Sequence, residues 1–318
     1  MIVDAHAHIC PRVCGRIAAG ATRGVGYGRV SIESDVGGAS AVIQAWPPLC
    51  ADTRHTPEML LAHMDWVGVD RAVLLQGPFY GEYNTYVQEA VERFPGRFIG
   101  AAYFDPWAEN ADEHFGRILD SQVFRAVKLE CSETTGLYGI HPRARLDDVD
   151  IAWLWTALEE RGLVLALDLG RVGSRSYQTK AVRRIAERHE GLRIVIAHLG
   201  QPSTALDEDV GKRRLWEEQI DLGKRPNVWF DTASLPAYFV SERYPFPSTG
   251  RYLRAAIERI GPDKILWGTD VPGLLAHATY RQLFDMAEDH LAFLSTEERA
   301  GIMGGNALGV YADRHMYG

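Results

Sequence analysis

The sequence predicts an α/β chain folded as a TIM-type (β/α)8 barrel, and three observations carry that expectation. About eight short runs rich in Val, Ile and Leu recur along the chain. Stretches with apolar residues at helical spacing separate them, the signature of repeated βα units around a parallel sheet. Six of the runs also end in His, Asp or Glu, and in this barrel class the active site lies at the strand ends.

The first run, Ile2 to His8, closes in a His-x-His pair. Residues 10–56 follow as a long irregular stretch with Gly, Pro and aromatics, read as an insertion or lid after the first strand. Pro57 to Val67 has helical spacing, and Arg71 to Gln76 is the second strand. Tyr83 to Arg93 reads as a helix, followed by the third strand, Phe98 to Phe104. The fourth, Phe124 to Glu130, leads through an irregular segment, Cys131 to Asp147, into a helix over Asp150 to Arg161. Val164 to Asp168 is the fifth strand, Tyr177 to His189 a helix, and Arg193 to His198 the sixth strand. The seventh, Val228 to Asp231, precedes another long loop, Thr232 to Gly250. A helix over Tyr252 to Ile260 and the strand Ile265 to Asp270 complete the set, with residues 296–313 as a C-terminal helical segment. A chain of 318 residues that is 46% hydrophobic can bury one large core, so residues 1–318 read as a single domain.

Composition narrows the function classes. The net charge of -8 and the scattered Lys and Arg residues offer no basic stripe for phosphate backbones, which argues against nucleic acid. No apolar run approaches the roughly 20 residues needed to span a bilayer, and the N-terminus lacks the basic-then-apolar pattern of a signal peptide. The expectation is a cytoplasmic protein acting on a small molecule, as a homodimer on base rates. Four cysteines, Cys10, Cys14, Cys50 and Cys131, are too sparse for a disulfide framework and read as reduced thiols. Cys10 and Cys14 have the wrong spacing for a zinc knuckle. Gly24-Val-Gly-Tyr-Gly28 lacks the flanking strand and helix of a phosphate loop and is set aside.

Residues two apart on a strand share a face, so His6 and His8 present their imidazoles side by side to one metal ion. A catalytic metal usually needs three protein ligands and an open position, so further ligands must come from other strand ends. Asp270 reads as a ligand that also takes a proton from water. Asp168 is either a ligand or a turn residue before Gly170. His198 reads as an acid, a base or a polariser of a substrate oxygen. Asp4, expected on the histidine face one step deeper, either accepts a ligand imidazole's N–H or braces the barrel floor. Asp231 ends the seventh strand without an assigned role. Lys128 and Glu130 share a face of the fourth strand; a salt bridge is the plain account, and a carboxylated Lys128 would require a second metal that nothing else demands. Glu130, Tyr80, Arg12, His141 and Arg171 are the substrate-binding candidates, a guanidinium being suited to clamp a carboxylate. Arg54, His55, Tyr138 and His277 lie in the same class of loops.

Together, Asp4-Ala-His6-Ala-His8, Ala-His198-Leu-Gly, Trp-Gly-Thr-Asp270 and the closing Gly305-Asn-Ala-Leu308 resemble the amidohydrolase superfamily. The closer resemblance is to the amidohydrolase-related branch that includes aminocarboxymuconate semialdehyde decarboxylase. It covers nearly the whole chain, and its motifs are specific for superfamily and weak for substrate. The resemblance implies that His6, His8 and Asp270 bind the metal and that His198 assists proton transfer. Many zinc-dependent members carry histidine at the end of the fifth strand where this chain has Asp168. That oxygen ligand keeps zinc as the first expectation for one divalent ion, raises manganese, and leaves open an empty site like that of the branch's metal-independent lactonases.

The leading functional expectation is a metal-dependent hydrolase of an ester, lactone or amide in a small carboxylate-bearing substrate, with Asp270 and His198 catalytic. The alternatives are non-oxidative decarboxylation of a small unsaturated or aromatic acid and a non-catalytic ligand-binding barrel.

Overall fold

Each predicted strand is present, and eight parallel strands form one barrel. The computed structural model describes residues 1–35, 40–48 and 52–311. In chain order the strands are β1 (Val3–Ala7), β2 (Arg16–Ile17), β3 (Gly20–Gly26), β4 (Arg29–Glu33), β5 (Ala41–Gln44), β6 (Arg71–Leu74), β7 (Phe98–Tyr103), β8 (Phe124–Glu130), β9 (Val164–Asp168), β10 (Ile194–Ile196), β11 (Val228–Asp231) and β12 (Ile265–Leu266). The barrel runs β1-β6-β7-β8-β9-β10-β11-β12. Backbone bonds from Ala5 N–H to the Trp267 carbonyl (2.8 Å) and from Asp270 N–H to the His6 carbonyl (2.7 Å) close it between first and last strands.

Small and branched side chains, including Val3, Ala5, Ala101, Ala126 and Ala166, fill the interior. Ala307, Val310 and Tyr311 of the helix Asn306–Tyr311 plug the end where the strands begin. Outer helices bury their apolar stripes against the barrel, among them Pro57–Val67, Asn84–Arg93, Thr179–Arg188 and Pro247–Ile260. Thr56 caps the first of these through Met59 N–H, and Pro57 at its first turn forfeits no helical bond. Residues 312–313 of the expected C-terminal segment, and Cys50, lie outside the described residues. No helix among the described residues is long and apolar enough to cross a membrane.

The stretch read as irregular after the first strand instead contains a four-stranded antiparallel sheet, β2-β3-β4-β5. Its central hairpin turns at Tyr27 and Gly28, both with positive φ (53° and 71°), the geometry a two-residue hairpin needs. A Cβ at Gly28 would strike the Trp46 carbonyl. The glycines that suggested a phosphate loop are thus hairpin glycines. The strands escaped a reading based on apolar runs because they are short and rich in Gly, Arg and Ser.

A second departure lies in β1. Val3 and Ala5 belong to the interior cluster, so strict alternation would send His6 outward with Asp4. The pairing with β6 shifts register between Asp4 and Ala7, and His6 and His8 both turn into the barrel mouth. Asp4 therefore does not share their face. Its carboxylate accepts the Thr269 N–H (2.9 Å), the Thr269 hydroxyl (2.6 Å) and the Tyr280 hydroxyl (3.0 Å), tying β1 to the last strand's loop and to the helix Tyr280–His290. Burial raises its pKa to about 6 despite these bonds.

Candidate active site

His6, His8 and Asp270 meet at the mouth of the barrel. One ligand atom from each lies within 4.8 Å of the others. His8 Nδ1 is 2.7 Å from the Leu75 carbonyl, which can only accept, so the ring proton sits on Nδ1 and the Nε2 lone pair faces the cleft. His6 Nδ1 likewise donates to Asp231 Oδ2 at 2.9 Å, so its Nε2 carries a lone pair, toward which the Lys128 ammonium points at 3.2 Å. Burial, then the Lys128 and His198 charges, hold His6 well below its usual pKa, and burial lowers His8 as well. Both rings are therefore neutral.

Asp270 follows the last strand in a left-handed conformation (φ 63°), which Asp tolerates better than most residues. Its Oδ1 lies 2.9 Å from His8 Nε2 and 3.9 Å from His6 Nε2. Burial opposes its ionisation, yet the carboxyl is held well below the usual carboxylate range, with the His198 charge among the causes. With the His8 proton committed to Leu75, the lone pairs of His8 Nε2 and Asp270 Oδ1 face each other at 2.9 Å. A shared cation relieves that contact, so the donor set fits a divalent ion. Among the described residues no protein group bonds Asp270 Oδ2, which leaves that oxygen for a proton.

His198 sits in a tight turn, Ala197–Gly200, with His198 and Leu199 both left-handed (φ 61° and 51°). That strained turn aims the ring into the cleft. Nδ1–H donates to the Ala233 carbonyl and Nε2–H to Asp168 Oδ2, each at 3.1 Å, so the ring carries both protons. Burial alone would lower its pKa, but Asp168 overrides it and raises the value to about 9. Asp168 also accepts from Gly170 N–H (2.9 Å) and Gln201 Nε2 (2.8 Å). Its oxygens are thus committed to His198, Gln201 and the turn, apart from the His6, His8 and Asp270 group. The turn role and the tie to His198 are what the geometry displays.

Asp231 links the two halves of the site. Oδ2 takes the His6 Nδ1–H, while Oδ1 accepts the backbone N–H of His198 (2.9 Å) and of Ala233 (3.1 Å). His6, His198 and Asp231 also form a close group, but these bonds already occupy both Asp231 oxygens and make it an orienting network. Lys128 Nζ lies 3.2 Å from His6 Nε2, and among the described residues no ion pair joins it to Glu130. Burial, then the nearby Asp168 charge, raises the Glu130 pKa to about 7.

A polar cavity of about 760 Å³ opens beside His198 and Asp270, with Arg171 at its exposed rim and Ser132 and Ser174 in its wall. A smaller lobe of about 300 Å³ shares Thr135, Asp168, His198 and Asp270 with it and adds Glu130 and Tyr80. Tyr80 stacks on His8 with ring centroids 4.6 Å apart. Arg12 lies near Tyr83, and His141 lies 2.7 Å from Asp105; neither lines these lobes. His55 donates to the His8 carbonyl (2.8 Å) and so braces the backbone at His8. The Asp231 network, Gln201 and the serine wall escaped sequence reasoning; only Asp231 carried a signal, as a strand-end carboxylate.

A family model described as amidohydrolase matches residues 3–312. The 4-sulfomuconolactone hydrolase of Hydrogenophaga intermedia is 23% identical over 228 residues, 70% of this chain and 66% of that protein. The L-fucono-1,5-lactonase of Burkholderia multivorans is 28% identical over 142 residues, 42% of this chain and 48% of that one. The chain thus spans just under two thirds of the first relative and about half of the second. A crystal structure of an amidohydrolase from Burkholderia multivorans with bound zinc shares the fold, with a TM-score of 0.71 at 19% identity over 98% of this chain and 99% of that one.

Proposed function

The chain belongs to the amidohydrolase family, and from that premise we propose that it hydrolyses a lactone of a small carboxylic acid, with one divalent ion, zinc before manganese, held by His6, His8 and Asp270. One observation carries the reading: two neutral imidazoles and one carboxylate oxygen converge, while Asp270 Oδ2 stays free and a cationic His198 faces the same cleft. The two curated relatives act on lactones by name, and a barrel of the same fold binds zinc.

When bound, a divalent ion supplies Lewis acidity and brings the pKa of a water to about 7. Asp270 takes a proton from the attacking water, whose oxygen adds to the lactone carbonyl carbon. The His198 imidazolium, held charged by Asp168, stabilises the carbonyl oxygen as negative charge develops there. The ring carbon–oxygen bond then breaks, and Asp270 returns its proton to the departing alkoxide. One water is consumed and one hydroxy acid forms.

Protein purified without chelator is expected to carry about one zinc or manganese per chain by elemental analysis, and His6→Ala to lose it. Acid release from a lactone panel, read with a pH indicator alongside a carbon dioxide assay, tests the reaction. Carbon dioxide without water uptake would replace the hydrolase by the decarboxylase.

His198 also sets a pH dependence. Its cationic form is the active one, so kcat/KM should fall as pH rises through its pKa of about 9, about tenfold per unit. A nearby divalent ion disfavours the imidazolium and moves that limb to lower pH. His198→Asn should lower turnover more than metal affinity and remove the limb; a variant that keeps the limb refutes the assignment.

A further inference from the structure

The two lobes of the cleft differ in chemistry, and the difference follows the chain's insertion. The larger lobe is walled by hydroxyl-bearing side chains and Arg171. The smaller one has His8, Lys128 and Glu130 in its lining and gains its apolar wall from Ile43, Ala45 and Trp46, from β5 and the residues just after it, together with Phe79 and Tyr80 after β6. Trp46 lies nearly parallel to Tyr80, 16° between planes at 6.3 Å, and Phe79 stands perpendicular to Tyr80 at 5.4 Å. Val30, fully buried and opposite Ile43 in the β4–β5 pairing, packs with Trp46 beneath this wall. Ile43 itself is 40% exposed, an apolar side chain left in water at the edge of the reaction centre.

We propose that the inserted sheet builds an apolar subsite, and that the substrate is a lactone carrying an aromatic substituent that lies against Ile43, Trp46 and Tyr80. This rests on the lactonase reading. Both lobes share Thr135, Asp168, His198 and Asp270, so a lactone carbonyl at that junction directs one side of the molecule to the hydroxyl wall and the other to the aromatic wall. Flat, rigid rings suit an aromatic partner, which gains from offset or edge contacts beyond the area it buries. The hydroxyl wall takes the polar side of the acid, with Arg171 at the rim for a carboxylate.

The test compares a phenyl-substituted butyrolactone with its methyl-substituted counterpart on the metal-loaded full chain. The phenyl compound should have at least about tenfold higher kcat/KM, the difference residing in KM. Ile43→Ser, at an exposed position, and Trp46→Ala should each pull that ratio toward one. A wild-type ratio near one, or a ratio that survives Ile43→Ser, overturns the subsite. If neither lactone turns over, the hydrolase reading falls by itself, and calorimetric binding of the two compounds decides the subsite: preference for the phenyl compound sustains it, equal or absent binding ends it.

Discussion

Asp270→Asn is expected to lower kcat/KM for a lactone by about 10²- to 10⁴-fold, the range a positioned general acid or base supplies. The substitution keeps size and shape, and Asn tolerates the left-handed backbone at this position about as well as Asp. The loss is therefore chemical. An amide cannot take the proton that Oδ2 is free to accept, and it brings no negative charge to His6 and His8. Thermal unfolding should shift little, which separates the result from misfolding. A variant within tenfold of wild type would move the proton acceptor elsewhere, and Glu130, with its pKa near 7 in the smaller lobe, would be next to examine.

Asp231→Asn should weaken metal binding by about 10- to 100-fold, as loss of an outer hydrogen-bond partner of a ligating histidine does. The effect runs through a tautomer. Asparagine's oxygen can keep the backbone N–H groups of His198 and Ala233, which leaves its NH₂ facing His6 Nδ1. Two donors cannot share that contact, so the His6 proton moves to Nε2, where the ligand lone pair was. Nε2–H would then also oppose the Lys128 ammonium 3.2 Å away. Competition with a chelator reads the affinity directly, without activity. A variant that holds metal like the wild type would mean that Asp231 only braces the turn around His198.

Both expectations depend on pairings of very different legibility. The His-x-His of β1 is a local pattern, readable because strand residues two apart share a face. Asp270 and His198 were readable because each closes an apolar run, and this barrel class gathers such ends at one rim. The partner of His6 was another matter. Asp4 is two residues away and looked suited to it, but the partner is Asp231, 225 residues distant. The substrate-binding candidates divide along similar lines: Arg171, Tyr80 and Glu130 line the cleft, while Arg12 and His141 lie outside it, His141 against Asp105. Loop position alone does not separate the two groups.

Alternating apolar runs and helical stretches determine the barrel, because periodicity is a property of neighbouring residues and survives without knowledge of the partner strand. The same locality places His6, His8, His198 and Asp270 at strand ends. Closure of the barrel decided the rest. It set the register shift that turns Asp4 outward and both histidines inward, the bond that fixes Asp168 on His198, and the fit of the inserted sheet over the cleft. These are contacts between segments far apart in the chain. Their geometry follows from how strands pair and stagger around a ring, which no window of adjacent residues encodes.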